Sequence, residues 1–169
     1  MPRALDRGDR IGHDALMSIA ALLLPPAMRA ALDAAATAAT AGEVPVGAVV
    51  MRRGEVIATA ANAPRTLHDP TAHAEILAIR AAAHAIGNDR LDDCDLWVTL
   101  EPCARCAGAI AHARIARLYY GASDPKGGAI EHGPRIFTQA TIHHRPEIFP
   151  GIGETESAAM LRGFFATRR

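Results

Sequence analysis

The stretch that decides the fold reads Leu96-Trp97-Val98-Thr99-Leu100-Glu101-Pro102-Cys103-Ala104-Arg105-Cys106. Its first five residues are apolar, aromatic or β-branched, which predicts a strand. Pro102 suits the first turn of a helix, which we predict to continue to about residue 113. A strand followed at once by a helix is the unit from which α/β domains are built.

Strands and helices also alternate on both sides of this stretch. We predict helices over residues 28–41, 71–86 and 154–166, and strands over 46–51, 56–61, 117–121 and 147–149. Residues 122–145 carry many glycines and prolines and are predicted to be mostly loop. These elements predict a three-layer α-β-α sandwich around a mixed five-stranded sheet.

Length and composition favour one folded domain. The chain has 169 residues and is 50% hydrophobic, and it contains no apolar stretch near the roughly 18 residues that a membrane span needs. We assign residues 28–169 to the domain. Residues 1–27 are expected to be an extension without regular structure, or the product of an upstream start assignment, because Met28 opens the first helical pattern.

Charge is unevenly distributed although the net charge is zero. Residues 28–104 contain 6 basic and 10 acidic residues, a net of −4, whereas residues 105–169 contain 9 and 5, a net of +4. The later half could therefore face an anionic partner, although a solvated surface explains the pattern about as well.

The cysteines indicate a metal site. Cys103 and Cys106 are two of only three cysteines, and their C-x-x-C spacing favours metal binding in a reducing compartment over a disulfide framework. The cytoplasm is therefore the expected location. On a helix the two thiols share one face, and a helix N-terminus stabilises thiolates.

His73 and Glu75 complete a candidate zinc site. His73 offers a third donor, and two thiolates with one imidazole suit zinc with a fourth position left for water. Glu75 diverges from His73 by about 200° on an ideal helix, so both can serve only a site beyond the helix end. There Glu75 is better placed to move protons than to bind the metal.

Two other readings of the cysteine pair remain open. A lone C-x-x-C is often structural zinc or a redox pair, and Cys94 is the candidate for a fourth structural ligand. However, the strand between Cys94 and Cys103 spans roughly 16 Å if extended, which is too far for both to bind one ion unless the chain doubles back.

The pairing of His-x-Glu with Pro-Cys-x-x-Cys is also the signature of zinc-dependent deaminases, in which water replaces an amino group of a nucleobase.

The chain resembles the bacterial tRNA-specific adenosine deaminases of the cytidine deaminase-like superfamily. The matching stretches cover most of the final 140 or so residues. They are residues 43–49 (Glu-Val-Pro-Val-Gly-Ala-Val), 68–75 (His-Asp-Pro-Thr-Ala-His-Ala-Glu), 98–103 (Val-Thr-Leu-Glu-Pro-Cys), 106–110 (Cys-Ala-Gly-Ala-Ile) and 164–169 (Phe-Phe-Ala-Thr-Arg-Arg).

The resemblance implies hydrolysis of adenosine to inosine at the wobble position of an arginine tRNA anticodon, by a homodimer with one zinc ion per subunit and no organic cofactor. His73, Cys103 and Cys106 would bind the zinc, Glu75 would shuttle protons, and Asn62 would contact the purine. The other reading of Asn62 is a turn residue that ends a strand.

Contacts to the tRNA anticodon loop are implied for Asp124 and Lys126 and for Phe164, Phe165 and Arg168 in the C-terminal tail. By composition alone, Asp124 and Lys126 belong to a simple turn, and the two phenylalanines could instead pack the last helix on the core. The chain departs from the family pattern at Arg105, where an apolar residue is common, and in the loop over residues 127–145.

Two other functions remain open. A deaminase of the same fold could act on a free base such as guanine or cytosine with the same zinc and glutamate. A non-catalytic zinc-stabilised RNA-binding subunit is the second alternative, and the presence of Glu75 argues against it.

Overall fold

The computed structural model describes residues 23–168. Most of the predicted extension, residues 1–22, therefore lies outside the described residues, as does Arg169. Helix α1 spans Pro26–Thr40 and begins two residues before the predicted start. Its first residue is a proline, whose fixed backbone angle suits the first helical position.

The sheet contains five strands in the described chain. They are β1 (Gly47–Arg52), β2 (Glu55–Ala61), β3 (Cys94–Leu100), β4 (Arg117–Ala122) and β5 (Glu147–Phe149). Their order is β2-β1-β3-β4-β5. β1 runs antiparallel to β2 and β3, whereas β3, β4 and β5 are parallel. The prediction of a mixed five-stranded sheet is confirmed.

Helices cover both faces of this sheet. Helices α2 (Ala74–Ile86) and α3 (Ala104–Ala113) pack on one face, and α1 and α4 (Glu154–Ala166) pack on the other. Alternate residues of β1 point to opposite faces of the sheet. Ala48 and Val50 pack in the core under α2 and α3, whereas Val49 packs in the core under α1. The predicted three-layer sandwich is confirmed.

Gly47 sets how closely α1 approaches the sheet. A Cβ atom at this position would overlap the carbonyl oxygen of Ala31 and lie 2.6 Å from the backbone nitrogen of Ala35. The Gly47 N–H also donates a hydrogen bond to Thr99 Oγ1 at 3.2 Å. Only glycine allows the helix and strand backbones to meet in this way.

Three strands end at the same edge of the sheet. Because β1 is antiparallel to both neighbours, β2 runs in the same direction as β3 and β4. Their last residues are Ala61, Leu100 and Ala122, so the segments that follow them meet at one edge. In open α/β sheets, ligands bind at the carboxyl ends of strands.

The predicted loop over residues 122–145 is confirmed from residue 123 onward, apart from one short 3₁₀ turn at Ile136–Thr138, whereas Ala122 still belongs to β4. None of the helices within residues 23–168 is both long and apolar enough to cross a membrane.

Candidate zinc and deamination site

His73 and Cys103 occupy the N-cap positions of α2 and α3, with extended backbones at ψ 152° and 171°. The helices thus begin later than the predicted starts at Thr71 and Pro102. Other hydrogen bonds hold those residues outside the helices. Asp69 Oδ1 accepts the backbone N–H and hydroxyl of Thr71, and the Pro102 carbonyl accepts a backbone N–H from the loop after β4.

The two caps and the first turn of α3 bring three metal-binding side chains together. His73 Nδ1 lies 3.7 Å from Cys103 Sγ and 3.5 Å from Cys106 Sγ, and all three donor atoms fall within 4.8 Å of one another. Tetrahedral zinc with Zn–N near 2.05 Å and Zn–S near 2.3 Å separates such donors by about 3.6 Å. This nitrogen and sulfur donor set fits a zinc ion.

Negative charge in this cluster is localised on Cys103. Its thiol pKa falls to about 3, chiefly because the Cys106 thiol donates a hydrogen bond to it, with His73 lowering it further. The same interaction and burial raise the pKa of Cys106. The hydrogen bond to Cys103 also raises the pKa of His73. A thiolate is the form in which cysteine binds a metal.

Glu75 lies at the second position of α2 and is 4% exposed. Its carboxyl interacts with the Cys106 thiol, and burial raises the pKa of Glu75 above its usual range. Because His73 is the N-cap, the side chains of His73 and Glu75 both lie at one site beyond the N-terminal end of α2. A buried carboxyl with a raised pKa is suited to proton transfer.

Asn62 and His73 lie at the two ends of one closed loop. The Ala63 N–H donates to the Ala72 carbonyl at 3.0 Å, which holds the neighbours of Asn62 and His73 together. Asn62 is 7% exposed, and its backbone N–H bonds to the Val46 carbonyl. Within residues 23–168 its side-chain amide has no hydrogen-bond partner, so it can donate to and accept from a ligand.

Two buried carboxylates that the sequence analysis passed over hold the loops beside this site. Glu43, 2% exposed, accepts the backbone N–H and hydroxyl of Thr66 at 2.7 and 3.0 Å. Glu101, also 2% exposed, accepts hydrogen bonds from the loop after β4. Glu101 directly follows an apolar strand, and Glu43 lies four residues before another; an acidic residue so close to a buried strand was the signal, because a charge is rarely buried without partners.

A groove of about 760 Å³ runs between the loop after β4 and the end of α4. Its lining includes Asp124, Lys126, Arg162, Phe165 and Arg168, so cations outnumber acids there. Phe165 is 49% exposed, which leaves an aromatic surface open to a ligand. Leu100, which precedes Cys103 by three residues, also lines the groove.

Phe164 is placed differently from Phe165. It is 9% exposed, and the Arg168 guanidinium lies 3.7 Å from its ring centroid in a cation–π contact. Phe165 meets the same ring edge-on at a centroid distance of 5.4 Å. The position of Phe164 favours the packing alternative, whereas Phe165 and Arg168 face the groove.

Arg105 is exposed on the first turn of α3. Its positive charge weakly opposes the rise in the pKa of His73 and adds weakly to the lowering of the pKa of Asp69, so it influences the site electrostatically. Cys94 lies at the opposite end of β3 from Cys103, buried in the core, as the argument against a fourth structural ligand expected.

The family model for MafB19-like deaminases matches residues 25–169. A tRNA-specific adenosine deaminase of Agrobacterium fabrum is 55% identical over 142 residues, covering 84% of this chain and 93% of that protein. A tRNA-specific adenosine deaminase of Bacillus subtilis is 41% identical over 142 residues, covering 84% and 88%.

A solved structure from studies of A-to-I editing by tRNA:A34 deaminases superimposes with a TM-score of 0.79 at 55% identity, covering 80% of this chain and 98% of that chain. Guanine deaminase of Bacillus subtilis superimposes less extensively, with a TM-score of 0.56 at 42% identity and coverage of 57% and 62%. By its sequence and fold, the chain belongs to the tRNA-specific adenosine deaminase family.

Proposed function

We propose that this protein hydrolyses adenosine to inosine at the wobble position of an arginine tRNA anticodon. The observation that carries the chemistry is the His73, Cys103 and Cys106 cluster with the buried Glu75 carboxyl beside it. The extensive identity to tRNA-specific adenosine deaminases supports the substrate. The reaction consumes one water and releases ammonia, so it requires no organic cofactor.

His73, Cys103 and Cys106 would hold one zinc ion per chain, which when bound lowers the pKa of a water molecule to about 7. Glu75 takes a proton from the attacking water and delivers it to the departing amino nitrogen. Burial favours the protonated form of Glu75, which suits a carboxyl that must hold that proton between the two transfers.

Asn62 orients the purine. Its free amide can donate to a ring nitrogen and accept from an N–H of the base edge. The bond between Ala63 and Ala72 holds the backbones next to Asn62 and His73 together. A base held there presents its reacting carbon to the metal cluster and to Glu75.

The groove between the loop after β4 and α4 accommodates the anticodon loop. Lys126, Arg162 and Arg168 supply positive charge for the phosphates, and Phe165 offers an aromatic face for stacking an unpaired nucleotide. Asp124 can accept hydrogen bonds from a base or a ribose. Recognition of this kind suits a splayed single-stranded loop better than a duplex.

As the family resemblance implies, we expect the chain to act as a homodimer in the cytoplasm. tRNA is found there, and the reducing environment keeps Cys103 and Cys106 free to bind zinc.

Stem-loops that differ only in the position of adenosine test the substrate assignment. With the zinc-loaded protein, we expect inosine at the wobble position of an arginine anticodon stem-loop, and at least about 100-fold slower conversion when adenosine is moved one nucleotide along. Mass spectrometry of the digested RNA measures both rates. Equal rates at the two positions would contradict recognition of the wobble nucleotide.

A further inference from the structure

Glu101 is a buried carboxylate that accepts hydrogen bonds from several residues of the loop after β4. Its side chain has no exposed surface, and its two oxygens face five donor groups. Oε1 accepts the backbone N–H groups of Ile130, Glu131 and His132 at 3.1, 2.9 and 3.1 Å. Oε2 accepts the Asp124 N–H at 2.9 Å and lies 2.7 Å from His132 Nδ1.

Four backbone N–H groups converge on the Glu101 carboxylate. The backbone N–H groups of Asp124 and of residues 130–132 are all donors, and a carboxylate is the acidic side chain's acceptor-only form. A glutamine amide would direct its own N–H groups at the donors of Asp124 or of residues 130–132.

The loop backbone closes over the carboxylate. The Gly128 N–H donates to the Asp124 carbonyl at 2.8 Å, and the Ala129 N–H donates to the Pro102 carbonyl at 2.9 Å. A Cβ atom on Gly128 would overlap the Glu101 carboxyl carbon and lie 2.5 Å from the Asp124 carbonyl oxygen. The absence of a side chain at Gly128 is therefore part of the same arrangement.

The segment held in this way carries groups that line the groove. Asp124 and Lys126 both face it, and Asp124 Oδ1 accepts the N–H groups of Lys126 and Gly127 to form the turn between them. Glu101 is separated from the zinc-cluster residue Cys103 only by Pro102. One carboxylate thus links the metal-binding end of β3 to the loop across the groove.

We propose that Glu101 is a positioning residue that holds the loop over residues 124–132 in the shape that binds RNA. The inference rests on the proposed function, because it assigns RNA contact to Asp124 and Lys126. Within residues 23–168, the hydrogen bonds of the Glu101 side chain go to residues 124 and 130–132 and not to His73, Cys103 or Cys106. Its loss should therefore weaken binding of a stem-loop far more than it slows the chemical step.

Steady-state kinetics of Glu101→Gln on the arginine anticodon stem-loop test whether Glu101 positions the loop for RNA binding. We expect KM to rise at least about tenfold while kcat and zinc content change less than about threefold, because an unmatched buried polar group loosens the loop and leaves the cluster intact. Glu147→Gln is the matched control, since Glu147 is exposed on β5 far from the groove, and it should leave both constants unchanged. A fall in kcat with constant KM, or a loss of zinc, would overturn the proposal.

Gly128→Ala reaches the same contact from the loop side without changing a charge. It should reproduce the selective rise in KM, and normal kinetics in this variant would also contradict the proposal. Hydrogen exchange of the amides of residues 124 and 130–132 provides a readout that needs no substrate. Exchange at least about tenfold faster in Glu101→Gln would support the held loop even if the wild-type protein proved inactive on RNA, which would refute only the proposed function.

Discussion

Replacing Glu75 with alanine is expected to lower kcat on the anticodon stem-loop by about 10²–10⁴-fold, the usual contribution of a positioned acid or base. The substitution removes the group that transfers protons between the water and the leaving amino group. His73, Cys103 and Cys106 remain in place, so zinc content measured by elemental analysis should not change. Single-turnover rates measured together with zinc content provide the check.

The isosteric Glu75→Gln variant separates proton transfer from packing. Glutamine keeps the size of this side chain, which is 4% exposed, so the packing should not change. Because an amide cannot transfer the proton, the variant should be as inactive as the alanine variant. Removing a buried ionisable group should also leave the melting temperature equal to or above that of the wild type, as at many functional sites. Undiminished turnover in either variant would contradict the role of Glu75.

Replacing Cys103 with alanine is expected to abolish stable zinc binding and, with it, activity. The variant removes the thiolate with the lowest pKa in the cluster and leaves only one sulfur and one nitrogen donor. Metal binding contributes to folding free energy, so the melting temperature should also fall. Zinc per chain and thermal unfolding with and without a chelator measure both effects.

Cys94→Ala is the matched control for this loss. Cys94 is fully buried, but it lies at the other end of β3, so its replacement should cost some packing and retain zinc. The chelator should then lower the melting temperature of the wild type and Cys94→Ala, but not that of Cys103→Ala. Full zinc occupancy in Cys103→Ala would show that the ligand assignment is wrong.

The grouping of the metal-binding side chains was predictable because the motifs are short and each opens a helix. Cys103 and Cys106 are three residues apart, so local helix geometry alone places them near each other. Joining them to His73 required the pairing of two motifs separated by 30 residues, and the structure brings the three donor atoms within 4.8 Å.

The starts of α2 and α3 were predicted too early for a physical reason. Thr71 and Pro102 have the composition of a first helical turn, yet each is held by a hydrogen bond outside the helix, to Asp69 and to the loop after β4 respectively. The bond to Pro102 comes from a residue 27 positions later, which a residue pattern does not report, whereas the bond between Asp69 and Thr71 is a local turn that competes with the helix. They are what turns His73 and Cys103 into cap residues.

The buried carboxylates show the same limit more clearly. Glu101 was visible only as an acidic residue before Pro102, and its partners lie 23 to 31 residues later in a loop of unremarkable composition. The sequence likewise offered no reason to assign different roles to the adjacent Phe164 and Phe165. The covering of Phe164 by Arg168 and the exposure of Phe165 follow from how α4 lies on the sheet.

The proposed substrate is adenosine within an RNA loop. The direct test compares ammonia release and product mass for the zinc-loaded protein on an arginine anticodon stem-loop with wobble adenosine, free adenosine, guanine and cytosine. We predict inosine in the stem-loop and no measurable turnover of the three small molecules. Deamination of guanine or cytosine with an unchanged stem-loop would contradict the account and identify a free-base deaminase of the same fold.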